Sequence, residues 1–229
     1  MLNTRTVRQS LLGLCLALAG LSAGAGSIVA SKHDFSNTTT YPWNPSGQIC
    51  VTCHAPHNTS GGLTALWNHT LSVANYTLYN TAFSSTINGT VVAPGSTSKL
   101  CLSCHDGTVA LNSFGGGTGA LVYATGTTSL GTDLTNDHPI GITYDAALVT
   151  ADGALKAITT ANTIGFTGKT KVGTVESNLL YNGKIECASC HDVHNTFTVP
   201  QASSGTLVSN KLVKMTMVGS ALCVACHDK

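Results

Sequence analysis

The pattern Cys-x-x-Cys-His occurs four times in this chain: Cys50-Val51-Thr52-Cys53-His54, Cys101-Leu102-Ser103-Cys104-His105, Cys187-Ala188-Ser189-Cys190-His191 and Cys223-Val224-Ala225-Cys226-His227. Of the nine cysteines in 229 residues, only Cys15 lies outside these pentapeptides. C-x-x-C-H is the attachment signature of c-type haem: two thiols add to the vinyl groups as thioethers, and the histidine is the proximal iron ligand. The motif constrains folding severely. Each pentapeptide must present two sulfurs to one edge of a flat macrocycle and turn an imidazole beneath it. Zinc sites also use C-x-x-C pairs but do not require a histidine directly after every second cysteine. A disulfide framework fails on the same ground. The expectation is four haem c groups, attached through Cys50, Cys53, Cys101, Cys104, Cys187, Cys190, Cys223 and Cys226. Their proximal ligands are His54, His105, His191 and His227.

The amino terminus reads as a secretory signal peptide over residues 1–30. Arg5 and Arg8 form its basic part, Leu11 to Ala19 its apolar part, and cleavage is expected after Ala25 or Ala30. Cys15 would leave with it. Export suits the motifs, because c-type attachment takes place outside the bacterial cytoplasm. Beyond Arg8 the chain has nine lysines, no arginine and ten acidic residues. With haem propionates and ferric iron included, the holoprotein charge is roughly −5, which argues against nucleic acid or an anionic membrane as partner. No apolar stretch long enough to span a bilayer follows the signal.

Charged residues make up only 9% of the chain, and small polar residues are abundant. Such a chain lacks the material for an ordinary aliphatic core, yet it has neither the high net charge nor the low hydrophobicity of disorder. The expected fold is a multihaem cytochrome, mostly irregular, with short helices, at most a small β-hairpin and a core filled by haem. Residues 31–229 form one domain in this reading. Helix is expected at the motifs and within Asp145 to Thr159. A hairpin is expected over Lys171 to Glu186, with its turn at Asn182-Gly183. The stretch 106–186 carries no motif and is the expected place for a β element or an assembly surface.

Five histidines remain as distal ligands: His33, His57, His69, His138 and His194. Four irons need four, so every haem can be six-coordinate with one histidine to spare. Saturated irons suit outer-sphere electron transfer, whereas a haem enzyme needs an open coordination position. The chain is therefore read as an electron carrier and not an enzyme. His57 and His194 each lie three residues past a proximal histidine. That spacing is too short to reach the far face of the same iron, but it suits ligation of a different haem. Met215 and Met217 are alternative axial ligands or simply packing residues.

Several landmarks follow one another in a recognisable order: Lys32-His33-Asp34, Cys50 through His57, Leu66-Trp67-Asn68-His69, Cys101 through Ala110, His138-Pro139 and Cys187 through His194. In these the chain resembles the filament-forming multihaem c-type cytochromes of metal-reducing bacteria, in particular their outer-surface tetrahaem members. The resemblance implies bis-histidine haems stacked as a continuous path, with little regular structure. It also implies a homopolymer in which one histidine ligates a haem of the neighbouring subunit, a part that maps onto His57, while a motif-distant histidine such as His33 would serve as well mechanically. Other multihaem cytochromes and extracellular acceptors such as metal oxides are the implied partners. A monomeric periplasmic shuttle is the alternative.

Overall fold

The computed structural model describes residues 28–57, 59, 66–117, 119–166, 169–197 and 212–228. The signal segment through residue 27, with Cys15 and the Ala25 cleavage site, lies outside the described residues. In chain order the elements are β1 (Thr77–Leu78), α1 (Ser96–His105), β2 (Asp133–Leu134), β3 (Ile142–Thr143), α2 (Ala146–Asp152), β4 (Ala161–Phe166), β5 (Lys169–Thr174), α3 (Val175–Leu179), β6 (Lys184–Ile185), α4 (Cys187–Cys190) and α5 (Ala221–Val224). Short 3-10 turns occupy Cys50–Thr52, Gly126–Thr128 and Val218–Ser220.

Regular structure is brief because local signals stop it early. Asp145 caps α2 by accepting from the Leu148 amide at 2.8 Å, and Gly153 ends the helix in the left-handed region (φ 70°). The helix is thus shorter than the 145–159 stretch that its alanines and leucines suggested. The hairpin also lies elsewhere. β4 and β5 pair antiparallel, from Ala161 opposite Thr174 to Phe166 opposite Lys169. Val175–Leu179, expected as a strand, is helical because Thr174 and Ser177 form a reciprocal cap: the Ser177 amide donates to Thr174 Oγ1 and the Thr174 amide to Ser177 Oγ. The Asn182-Gly183 turn does form, with both residues at positive φ and Tyr181 exchanging backbone hydrogen bonds with Lys184. Its outgoing strand, β6, pairs with β3 instead of with an incoming partner. A parallel pair, β1 with β2, completes the sheet pairings.

The aliphatic core is small. Ile142, Tyr144, Leu148, Val175 and Ile185 form one buried cluster, and Ile164, Leu179 and Ala225 another. Tyr144 joins the central stretch to the last motif, its hydroxyl lying 2.8 Å from the Lys156 carbonyl and 3.0 Å from that of Cys226. The Lys156 and Asp228 amides reinforce the seam by donating to the Cys226 and Ala154 carbonyls. Near the start of the chain, Phe35, Tyr41 and Trp43 meet edge to face, and Trp43 reaches Phe114. Asn44, fully buried, ties this stretch down by donating to the Phe35 and Gln48 carbonyls. Among the described residues no helix is long and apolar enough to cross a membrane.

Tyr144→Phe removes the hydroxyl that bonds the Lys156 and Cys226 carbonyls, leaving the Cys226 carbonyl with the Lys156 amide alone. It should cost about 1–3 kcal/mol of stability, read from the denaturant midpoint at unchanged m-value.

Candidate functional site

All four pentapeptides adopt a tight helical turn. In motifs 1, 3 and 4 the histidine amide donates to the carbonyl of the first cysteine: His54 to Cys50 at 2.8 Å, His191 to Cys187 at 3.1 Å and His227 to Cys223 at 3.0 Å. Motif 2 closes α1. None of the eight motif cysteines is joined to another in a disulfide. Among the described residues no group of three or more His, Cys, Asp or Glu converges on a point that could hold a metal ion. The chain offers histidines in opposed pairs instead.

Three such pairs are present. His33 faces His105 with ring centroids 6.1 Å apart, His54 faces His194 at 6.1 Å, and His138 faces His227 at 6.3 Å. An imidazole nitrogen binds a metal at about 2 Å and its ring centre lies about 1 Å further back, so two imidazoles on opposite faces of one iron have centroids roughly 6 Å apart. The spacing fits a haem iron between each pair. Every pair joins a motif histidine to one of the five candidates. His194 belongs to motif 3 but faces His54 of motif 1, so one short segment serves two sites. The ring planes differ: 16° between His54 and His194, against 75° and 74° in the other pairs.

His69 and His57 stand outside these three pairs. His69 is buried, with Nδ1 2.8 Å from the Thr70 carbonyl and Nε2 3.6 Å from Cys104 Sγ. His57 is exposed. His191 is exposed beside Val213, with which it forms a bridge. Met215 packs on the Ile164 cluster, while Met217 is exposed.

The surroundings prepare the rings. Nδ1 of His105 lies 2.6 Å from the Thr128 carbonyl and Nδ1 of His138 lies 3.1 Å from that of Pro139. Donation from Nδ1–H leaves Nε2 with its lone pair, the form that ligates a metal. The 3-10 turn at Gly126–Thr128 supplies one of these carbonyls, and nothing in that Gly-Thr-Thr stretch distinguishes it in sequence. Burial, followed by the charges of His105, His191 and His194, lowers His33 to about 4, so its ring is neutral. His33 Nδ1 and Trp67 Nε1 are buried with no hydrogen-bond partner, and the Trp67 ring stands edge-on to His54. Orphaned polar atoms beside a histidine pair are compatible with a bound group at that place.

Neighbouring thiols link the motifs in chain order. Burial, then the charge of Cys53, pushes Cys104 up to about 12, which joins motifs 1 and 2. The Cys101 thiol is raised, and Cys187 lowered to about 7, by the hydrogen bond between them, which joins motifs 2 and 3. Burial, then Cys190, pushes Cys226 up to about 11, joining motifs 3 and 4. The sequence placed no motif beside another; this series comes from tertiary packing.

Asp106, directly after His105, is buried and gathers Ser72 Oγ, Tyr76 OH at 2.7 Å, the Thr108 amide at 2.7 Å and Thr108 Oγ1 at 2.8 Å. Burial alone would raise its carboxyl, but these donors outweigh it and hold it below the ordinary value. Asp228 follows the last motif in the same His-Asp pattern, yet it is exposed.

No protein-family model matches the chain, and no curated protein matches it.

The two aspartates should therefore part in behaviour. Asp106→Ala removes the acceptor shared by the Ser72, Tyr76 and Thr108 hydroxyls and should cost about 2–3 kcal/mol. Asp228→Ala should stay within about 0.5 kcal/mol of the parent. Chemical denaturation of both variants checks the contrast.

Proposed function

We propose that the chain is a tetrahaem c-type cytochrome that transfers electrons, with one haem c at each Cys-x-x-Cys-His motif. The observation that carries this reading is the opposition of His33, His138 and His194 to three motif histidines at a separation that accommodates an iron. Bound haem would supply the one-electron redox chemistry. The chain's residues supply the rest. Cys50, Cys53, Cys101, Cys104, Cys187, Cys190, Cys223 and Cys226 would anchor the haems, and His54, His105, His191 and His227, with His33, His138 and His194, would hold their irons. Saturated coordination favours outer-sphere transfer over catalysis. The Thr128 and Pro139 carbonyls hold the His105 and His138 rings. The electrostatic influence of Cys53 on Cys104, of Cys187 on Cys101 and of Cys190 on Cys226 supports a path that runs through the motifs in chain order.

The same reading extends outward. The exposed position of His57 and the resemblance together support donation of this ring to a haem of an adjoining subunit, so that the protein is the protomer of an extracellular filament. It would pass electrons to other multihaem cytochromes and to acceptors such as metal oxides.

Denaturing mass spectrometry of the exported protein should find the mature chain carrying four haems, with spectra that are entirely low-spin. A high-spin iron in the assembled native protein would overturn the carrier reading. Electron paramagnetic resonance should resolve two ligand geometries, because near-coplanar imidazoles give a rhombic signal and near-perpendicular ones a large-gmax signal. The His54–His194 site belongs to the first kind and the His33–His105 and His138–His227 sites to the second.

Electron microscopy should show polymers of the native protein, and His57→Ala should yield monomers with one five-coordinate haem. Filaments of that variant with low-spin haems throughout would exclude His57 as the donor. Monomeric native protein would point to the periplasmic shuttle instead.

A further inference from the structure

The helices that carry motifs 2 and 3 are joined by one buried side chain. Glu186 is 3% exposed and precedes the first cysteine of motif 3. Its backbone caps α4, where its amide donates to Ser189 Oγ at 2.9 Å. Its carboxylate turns to α1 and accepts from the Gly95 amide, at 3.1 Å to Oε1 and 3.2 Å to Oε2, and from the Ser98 hydroxyl. Ser98 Oγ in turn accepts from the Cys187 amide at 2.9 Å. The start of α1 is thereby bonded directly to the start of α4. One turn further along α1 stands Cys101, and the amide bonded to Ser98 is that of Cys187, the first cysteine of motif 3.

Gly95 gives independent support. Its φ of −71° and ψ of 176° are open to any residue, so its backbone does not require glycine. Space does. A Cβ at this position would lie 2.4 Å from Glu186 Oε1. The absence of a side chain at 95 is what admits the carboxylate.

The other junctions are built differently. Motif 1 is held by Asn68, whose amide donates to the Cys53 carbonyl and whose side chain donates to that of Val51. Motif 4 rests on the apolar contact of Ala225 with Ile164 and Leu179. Among the described residues, the Glu186 junction is the one in which a carboxylate ties together two attachment helices.

We propose that Glu186 is a positioning residue that fixes the second attachment site against the third, with Ser98 and Gly95 as its counterparts on α1. The inference rests on the tetrahaem reading. Glu186 touches no iron ligand; it acts by holding Cys101 and Cys187 together, so that the groups attached to them share an edge. Electron hopping falls steeply with edge separation, and this makes the 2–3 junction sensitive to a single side chain.

The test uses the full-length exported holoprotein and reads haem mass, visible spectrum and circular dichroism in the Soret band, where closely stacked haems give an exciton couplet. Glu186→Ala and Gly95→Ala should each keep four haems and low-spin coordination while losing a large part of the couplet. Glu186→Gln, which keeps an acceptor oxygen for Gly95 and Ser98, should retain most of it. Tyr144→Phe, which loosens the seam to the last motif without breaking any Glu186 bond, should leave most of the couplet intact. If Glu186→Ala does not mature, Gly95→Ala and Ser98→Ala decide. An unchanged couplet in the variants that break the junction would overturn the proposal, as would an equal loss in Tyr144→Phe. Absence of haem from the parent protein would instead overturn the tetrahaem reading, and this inference with it.

Discussion

Buried polar side chains bonded to distant stretches of backbone hold this molecule together. Asn44 spans the Phe35 and Gln48 carbonyls, Asn68 reaches Val51, Asp106 gathers Ser72 and Tyr76, and Glu186 reaches Gly95 and Ser98. Lys214, also buried, donates to the Asn178 carbonyl and the Tyr181 hydroxyl and lies over the Tyr181 ring. A chain with so few aliphatic residues cannot obtain this order from packing alone. In a dry interior each such bond costs more to leave unmade than it contributes when made, so the arrangement has few alternatives.

That style of construction suits a protein whose sites are strung along irregular chain. Each opposed histidine pair connects segments far apart in sequence: the start of the chain with motif 2, motif 3 with motif 1, the central stretch with motif 4. The polar ties fall beside the same segments. Asn44 lies within the aromatic cluster that steadies His33, Asp106 follows His105, and Glu186 precedes Cys187. Where apolar contacts do take over, around Tyr144 and Ala225, they support the final motif. The proposed electron path would thus rest on geometry set by hydrogen bonds at its early junctions and by packing at its end.

How much was legible in sequence depended on the range of the interaction. The motif turns, the α2 cap at Asp145 with its stop at Gly153, and the Asn182-Gly183 turn are local, and their residue types announce them. The hairpin was displaced because alternation over Lys171 to Glu186 resembled a strand, while the Thr174–Ser177 cap turned part of it into helix. That Thr-x-x-Ser cap was a readable signal and was passed over. His33 was legible as a candidate ligand, but its place against Phe35 and His105 was not. The Thr128 carbonyl that orients His105 could not have been found at all, since every residue carries a carbonyl.

By itself the sequence determined the spacing of the cysteine pairs and the stock of imidazoles on which the proposed attachment rests, because both are properties of residue type and short separation. It determined as well that no large aliphatic core could form. Tertiary structure alone decided which histidine lies beside which, and that a glutamate beside Cys187 binds the helix carrying Cys101. The reason is physical: pairing across dozens of residues is chosen by the total fit of many weak contacts, and no short stretch of residues encodes that sum.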